Sequence, residues 1–138
     1  MHNYTVALRI EGLQVDTAAI TKELGMAPTL TREVGGWRSP TTVWDKALWA
    51  LDVYPESGTI SQWTSLEAGI VALLKVFTPH AKTLHKYGRQ HDVYLWCGHF
   101  SSSFCGGPEF SAKLLRSLGK FGVRLYLDTY LSSEDAKT

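Results

Sequence analysis

Large apolar residues recur at every second position from Tyr4 to Ile10, and this period of two predicts a half-buried strand. Similar alternation, rich in β-branched and aromatic residues, recurs further along the chain. The other strands are predicted at residues 29–34, 44–54, 92–100 and 123–131. The pattern therefore predicts one antiparallel or mixed sheet of about five strands.

Apolar residues spaced three and four apart predict helices between the strands, most clearly in SQWTSLEAGIVALLKVF at residues 61–77. Thr64 and Glu67 have the spacing of a capping box near the start of this helix. Pro79 is expected to end or kink it, because proline lacks the N–H that a helix interior needs. Residues 81–88 are then expected to continue as a short second helix.

Two shorter helices carry their own start and stop signals. Asp16 is placed to cap a helix that runs through Leu24. Ser111 is placed to cap another that runs through Leu118, with Gly119 near its end. Hydrophobic staples are predicted across the two helix starts, between Val15 and Ile20 and between Phe110 and Leu115.

The elements follow one another in the order β-α-β-β-α-β-α-β, which is an α+β pattern without internal repeats. It contains the β-α-β-β-α-β arrangement of ferredoxin-like sandwiches, with an added helix and strand. We expect a single domain over residues 1–131, helices mainly on one sheet face, and a polar C-terminal tail at 132–138. The core is predicted to include Val6, Leu8, Leu74, Val93, Leu95, Leu115, Val123, Leu125 and Leu127.

Three segments, ALRIEGLQVDTAAITKELGMAPT, GGWRSP and FSAKLLRSLGKFGVRLYLDTY, resemble the bacterial proteins grouped as domain of unknown function 4279. In that pattern a strand, a glycine turn, an acidic helix start and a Leu-Gly pair lead to a proline. The matching positions here are Ile10, Gly12, Asp16, Ile20, Leu24, Gly25 and Pro28. The resemblance extends over most of the chain and implies a single-domain bacterial cytosolic protein. It implies no activity, cofactor or catalytic residue.

The chain has 138 residues, a formal net charge of +1 and 44% apolar residues. This composition fits one globular domain and argues against disorder and against a broad phosphate-binding surface. No apolar run approaches the ~20 residues of a membrane span, and MHNYTVALRI lacks the features of a signal peptide. We therefore expect a cytoplasmic protein whose two cysteines, Cys97 and Cys105, are reduced.

The segment HFSSSFCGGPEF, residues 99–110, brings together groups that occur in nucleophile loops. It lacks the Gly-x-Ser-x-Gly frame, and no carboxylate is placed to orient His99. Its glycines suit a connector, and Glu109 suits the N-terminal end of a helix dipole. We expect no catalytic residue here. A small ligand-binding protein or enzyme that uses residues 97–109 is kept as an alternative.

No metal or cofactor site is predicted. Cys97 and His99 share one face of a strand and would supply two ligands, but no spacing signals a third or a fourth. The chain also lacks both glycine-rich patterns that hold nucleotide phosphates.

The strand positions that point away from the helices are more informative. They mix aromatic rings with guanidinium groups, a combination that can bind a protein, a second copy or stacked bases. Arg9 lies on this side. The predicted binding residues on this side are Tyr94, Trp96, Arg124, Tyr126, Asp128 and Tyr130. His99, which belongs to the 97–109 segment, is also a predicted binding residue.

The sequence therefore predicts a non-enzymatic protein-interaction module, with a homodimer or a protein partner docking through Tyr94, Trp96, Tyr126 and Tyr130. A single-stranded nucleic-acid platform is the weaker alternative, because the net charge is near zero. A cleft bordered by His99, Arg124 and Trp96 would favour the ligand-binding alternative.

Overall fold

A computed structural model describes residues 2–56, 62–103 and 105–131 of the chain. Its strands there are His2–Gly12 (β1), Leu30–Arg32 (β2), Ala47–Val53 (β3), Asp92–Ser101 (β4) and Arg124–Leu131 (β5). Its α-helices are Thr17–Leu24 (α1), Leu66–Phe77 (α2), Ala81–Gly88 (α3) and Ala112–Phe121 (α4). The predicted polar tail, 132–138, lies outside the described residues.

The five strands form one sheet in the order β2-β3-β1-β4-β5. Neighbouring strands are antiparallel except β4 and β5, which are parallel because α4 crosses over between them. β1 is the central strand, and it pairs with β4 from His2 opposite Ser101 to Glu11 opposite Asp92. The prediction of a single α+β sheet of five strands is confirmed.

The helices cover one face of the sheet, and the core lies between the two layers. The alternation predicted for β1 is present, with the side chains of Tyr4, Val6, Leu8 and Ile10 buried under the helices. α2 crosses β1 and presents an apolar stripe to it, because its apolar residues recur every three or four positions. The buried residues of this stripe are Leu66, Ile70, Leu73, Leu74 and Phe77.

Two predicted helix caps are present in the structure. The Asp16 carboxylate accepts a hydrogen bond from the N–H of Ala19 at the start of α1. The Ser111 hydroxyl accepts one from the N–H of Leu114 at the start of α4. Each cap satisfies a backbone donor that has no partner inside its helix. As predicted, Pro79 ends α2, and it lies in a short 3-10 turn that leads into α3.

The predicted capping box of α2 is wrong. The cap is Ser65, one residue after Thr64, and its hydroxyl accepts a hydrogen bond from the N–H of Ala68. The carboxylate of Glu67 turns away from its own helix and accepts hydrogen bonds from the N–H and hydroxyl of Ser111, at 2.6 and 2.9 Å. Glu67 therefore ties the start of α2 to the start of α4.

The predicted end and inner face of α4 are also wrong. The helix continues past Gly119 to Phe121, and Gly122 ends it in a left-handed conformation with φ of 83°. Leu115 is predicted to be a buried staple residue but is 53% exposed. Leu114 takes the buried position, and the next residue is rotated by about 100° around the helix, away from the core.

β5 is less buried than predicted. Val123 and Leu125 pack against the core but keep some exposure. Leu127 lies on the helix-covered side, as predicted, yet is 38% exposed. The reason is that β5 is the last strand of the sheet and, among the described residues, has a neighbour on one side only.

Candidate functional site

The sheet face opposite the helices, here called the open face, carries six of the seven predicted binding residues. Its side chains include Arg9 of β1, which lies opposite Tyr94 of β4, and Tyr126 of β5, which lies opposite Trp96. Because opposite residues of paired strands share a face, the register brings the rings and charges together. From β4 and β5 the open face receives Tyr94, Trp96, Phe100, Arg124, Tyr126, Asp128 and Tyr130.

In the inner part of the open face, formed by Tyr94 and Trp96, guanidinium groups stack on the aromatic rings. The Cζ atom of Arg9 lies 4.4 Å from the ring centroid of Trp96, and that of Arg124 lies 4.2 Å from the ring centroid of Tyr94. Such stacking of a cation on a ring is attractive and shields the ring from water. Tyr94 is only 6% exposed as a result of its surroundings. It is therefore not available for docking in the way that the sequence predicts.

The outer part of the open face, formed by Tyr126 and Tyr130, remains accessible to solvent. Tyr126 and Tyr130 are 47% and 45% exposed. The ring of Tyr130 is stacked on Phe100 with centroids 5.2 Å apart, and its hydroxyl donates to Asp128 Oδ2 at 2.6 Å. These contacts hold one of the two exposed rings in a fixed orientation.

Most residues of β5 are exposed, and only Leu125 and Asp128 are partly buried. On the helix-covered side Leu127 and Leu131 also remain accessible. No other strand within the described residues pairs with the outer edge of β5, so that edge presents unpaired backbone groups. The strand is thus open on both faces and along one edge.

A second cluster of arginine and tryptophan side chains lies on the same face next to β2, and the sequence analysis did not predict it. Trp44 lies before β3 and not within it, and its ring is contacted by the guanidinium groups of Arg32 at 3.9 Å and Arg38 at 4.9 Å. Burial, followed by the positive charge of Arg9, lowers the pKa of Arg32. The only signal in the sequence was the mixing of arginine and tryptophan over residues 32–44.

Charges on the open face are balanced. The register places guanidinium and carboxylate groups of similar number on it: Arg9, Arg32 and Arg124 with Glu11, Asp52, Asp92 and Asp128. Arg124 already binds Asp92 through Nε at 3.2 Å and Nη2 at 2.6 Å. A phosphate backbone requires clustered positive charge without such compensation, so this face suits a protein surface better than a nucleic acid.

His99, the seventh predicted binding residue, lies on the opposite side of the sheet. It is buried, its ring is stacked on Tyr4 with centroids 4.9 Å apart, and its Nε2 lies 2.8 Å from Nδ1 of His2. Burial, and then the neighbouring His2, lower the pKa of His99. Because Trp96 and Arg124 are on the open face, the three residues do not border a common cleft.

The loop after β4 shows no arrangement for nucleophilic catalysis within the described residues; Phe104 lies outside them. Burial raises the pKa of the Cys97 thiol to about 12, which makes it a poor nucleophile. Cys105 is exposed, and its carbonyl oxygen accepts a hydrogen bond from Nε2 of His2 at 2.6 Å. No described carboxylate contacts His2 or His99, so neither imidazole has an orienting acid.

A groove in the helix layer was not foreseen from the sequence. It lies between α2 and α4, has a volume of about 690 Å³, and its walls carry Lys75, Lys113 and Lys120. In the described part of the chain none of these lysines forms an ion pair. The apolar floor consists of Val71, Leu74, Ala81, Leu114 and Phe121. Its residues come from three helices, so no local pattern announces it.

Some kinds of site are not found where the structure describes the chain. No cluster of three or more histidine, cysteine or carboxylate side chains is placed to hold a metal ion in those residues. None of the described helices has the length and apolar content that crossing a membrane requires.

The geometry defines a single-sheet α+β protein with a helix-covered face, an open aromatic face and an exposed edge strand. Residues 2–132 match the family described as Domain of unknown function (DUF4279), and the chain belongs to that family. Searches of curated proteins and of solved structures found no match.

Proposed function

We propose that the protein is a non-enzymatic protein-interaction module that binds its partner through β5 and the adjoining outer part of the open face. The observation that carries the proposal is the exposure of β5 on both faces together with its unpaired edge. An exposed apolar edge strand is a template for pairing with another chain, and monomeric proteins normally protect such edges.

The residues of β5 supply the contacts that protein interfaces favour. Tyr126 and Tyr130 can bury large ring area while losing few rotamers, and tyrosine is enriched among residues that dominate binding energy. Arg124 and Asp128 flank Tyr126 and provide a polar rim. A partner that adds a strand to this edge would gain main-chain hydrogen bonds and side-chain contacts at once.

We test this proposal with the variant Tyr126→Ser/Tyr130→Ser. Tyr54→Ser is the matched control, because Tyr54 is exposed to a similar degree outside β5. Sedimentation velocity over a concentration series measures self-association, and pull-down with each variant measures retention of other proteins. Loss of association or of a retained protein in the double variant alone supports the proposal. A wild-type chain that neither self-associates nor retains a protein lost by the double variant contradicts it.

We also propose that the first four strands form a ferredoxin-like sandwich to which α4 and β5 are appended. The support is the order β2-β3-β1-β4, in which each helical crossover skips one strand of the sheet. This arrangement explains why β5 is at an edge, since a strand appended to a four-stranded sheet joins at one of its two free sides, here that of β4.

A cytoplasmic location is part of the same proposal. It is supported by the free thiols of Cys97 and Cys105, of which the second is exposed. An exposed unpaired cysteine is typical of a reducing compartment.

A second candidate function is the binding of a small amphiphilic anion in the groove between α2 and α4. This candidate is supported by the volume of the groove, about 690 Å³, which lies in the range of small-molecule sites, and by the apolar floor of the groove. Three lysines on its walls complement a carboxylate head group.

Calorimetric titration with dodecanoate below its aggregation concentration tests the second candidate. We expect saturable binding that Lys113→Glu/Lys120→Glu weakens and that the exposed-site control Lys22→Glu leaves unchanged. Absence of saturable binding to the wild-type chain rules it out.

A further inference from the structure

We infer that the partner bound by β5 is a second copy of this chain, whose own β5 pairs antiparallel to the first around a two-fold axis at Tyr126. The inference rests on the proposed function and specifies its partner and register. It is carried by the symmetry of the side chains along β5, which makes the strand complementary to itself.

The self-complementarity appears on both faces of the strand. With the two-fold axis at Tyr126, Arg124 lies opposite Asp128 of the second copy, and Asp128 lies opposite Arg124 of the second copy. All of these side chains belong to the open face. On the helix-covered side the same axis places Leu125 opposite Leu127 of the second copy. Charges then meet opposite charges, and apolar residues meet apolar residues.

Other axes do not give this match. Opposite residues of an antiparallel pair must share a face, so the axis has to pass through a residue and not between two residues. An axis at Leu127 places Arg124 opposite Tyr130, and an axis at Leu125 places it opposite Tyr126. An axis at Asp128 places two carboxylates opposite each other. Among these positions, only the axis at Tyr126 pairs every charged residue of the strand with an opposite charge.

The contacts of Arg124 and Asp128 within one chain leave atoms of both side chains able to bind across the two-fold axis. Arg124 uses Nε and Nη2 to bind Asp92, and Nη1 makes no hydrogen bond with a described residue. Asp128 receives the Tyr130 hydroxyl on Oδ2, and its Oδ1 is likewise not used by the described residues. An ion pair across the axis therefore adds to the intrachain bonds and does not replace them.

The pairing also covers two of the exposed apolar side chains of β5, Tyr126 and Leu127. Leu127, 38% exposed in one chain, receives Leu125 of the second copy. The two Tyr126 side chains meet at the axis, where an aromatic cross-strand pair stabilises a sheet. The result is a continuous sheet of ten strands with β5 and its copy at the centre, which removes the unprotected edge from each chain.

Charge exchange tests the register. All variants are made in an Asp92→Asn background so that residue 124 has no intrachain ion partner. We expect Asp128→Arg and Arg124→Asp each to raise the dimer dissociation constant by about ten- to a hundredfold, because both symmetric pairs change from attraction to repulsion. The combination Arg124→Asp/Asp128→Arg restores opposite charges and should return the constant to within about threefold of the background. Glu109→Arg and Arg116→Asp make the same charge changes at exposed sites outside β5 and should have little effect.

Cross-linking gives an independent measurement of the axis. In a Cys105→Ser background, Tyr126→Cys places a thiol opposite its own symmetry mate, and mild oxidation should produce a covalent dimer. Tyr130→Cys is the control, since position 130 is several residues away from its mate and should stay monomeric under the same conditions.

The outcomes separate this inference from the proposed function. Restoration by the double charge exchange together with cross-linking at position 126 supports the two-fold pairing. A dimer that is not restored, or that cross-links at position 130 only, overturns the register while β5 remains an interaction strand. A chain that stays monomeric at all concentrations overturns the self-association inference, and the proposed function then depends on the pull-down result alone.

Discussion

β4 and β5 are neighbouring parallel strands with similar sequences, yet they meet solvent very differently. Both mix aliphatic with aromatic residues and alternate between the same two faces. Leu95 of β4 is fully buried, whereas Leu127 of β5 is 38% exposed. Tyr94 and Tyr126, which both project from the open face, differ in the same way. The strands differ in position, because β4 has a neighbour on each side and β5 only on one.

This comparison shows that strand order, and not the residue pattern, decides which side chains are available to a partner. β1 and β5 both pair with β4, and α3 also packs against it. Arg9 from β1 and Arg124 from β5 then cover Trp96 and Tyr94, two of its three aromatic side chains on the open face. β5 receives no equivalent cover from the described residues on its outer side. The candidate site therefore lies on β5, the edge strand of the sheet.

Thiol labelling should show the largest difference between the two strands. Cys97 of β4 lies opposite Leu127 of β5. In a Cys105→Ser background, we expect Cys97 to react with an alkylating reagent about a thousandfold more slowly than a free thiol, because burial raises its pKa to about 12. With Leu127→Cys added, one thiol should react rapidly. Mass spectrometry of the labelled native protein measures both rates, and fast labelling of Cys97 would contradict the burial of β4.

Truncation of paired leucines should separate the strands by stability. Leu95→Ala should lower the free energy of unfolding by about 2–5 kcal/mol, because it leaves a cavity in the core. Leu127→Ala should lower it by less than about 1 kcal/mol in the monomer, because much of that side chain is already hydrated. Urea unfolding at low protein concentration measures both changes. Similar losses for the two variants would show that β5 is packed as tightly as β4.

Gly98 tests how tightly the open face of β4 is packed. A Cβ atom at this position would lie 2.5 Å from Thr5 Oγ1 and 3.0 Å from the rings of Trp96 and Phe100. We expect Gly98→Ala to lower the free energy of unfolding by about 1–3 kcal/mol. Gly119→Ala is the control, because that position has open space within α4.

The control should change stability in the other direction. Gly119→Ala is expected to raise the free energy of unfolding by about 0.5–1 kcal/mol, since alanine loses less conformational entropy than glycine in a helix. A neutral Gly98→Ala variant would mean that the rings over β4 move aside easily.

The smallest expected effect is the pH dependence that His99 of β4 contributes. Burial and the neighbouring His2 lower its pKa below the ordinary value of 6.5, so the unfolded chain binds this proton at a higher pH than the folded chain. The contribution of His99 is complete above about pH 6.5 and decreases as the pH falls through the lower pKa of the folded state. The groups that face it are His2, Tyr4 and Thr129.

Unfolding measurements from neutral to mildly acidic pH check this effect. His99→Gln should flatten the decline in stability toward acid relative to the wild-type chain, whatever its effect at neutral pH. His80→Gln, at a histidine outside β4 in the turn after α2, should leave the slope unchanged. An unchanged slope in His99→Gln would assign the acid sensitivity to other groups.

The local features of the fold could be predicted because a few neighbouring residues determine each of them. The cap at Asp16 and the alternation from Tyr4 to Ile10 depend on contacts within one turn or one strand. Prediction failed where two adjacent residues compete for one role. Ser65, and not Thr64, caps α2, and Glu67 contacts Ser111 of another helix start in place of its own cap.

The sequence predicted which sheet face carries the candidate site, but not which of its side chains are exposed. Period-two alternation placed Trp96, Arg124 and Tyr126 on one face, and the register agrees. The same alternation could not show that Arg9 covers Trp96, since the two residues are far apart along the chain. His99 was predicted as part of the ligand-binding alternative at residues 97–109, and its side chain points to the other side of the sheet.

The sequence by itself determined the elements, their caps and the two faces of each strand, because periodicity and capping are local. The tertiary structure decided the order β2-β3-β1-β4-β5, and with it which strand remains at the edge. That order depends on pairing between segments as distant as His2 and Ser101, for which no local pattern exists. Exposure of β5 follows from this long-range pairing, and so topology determined which strand surface remains exposed.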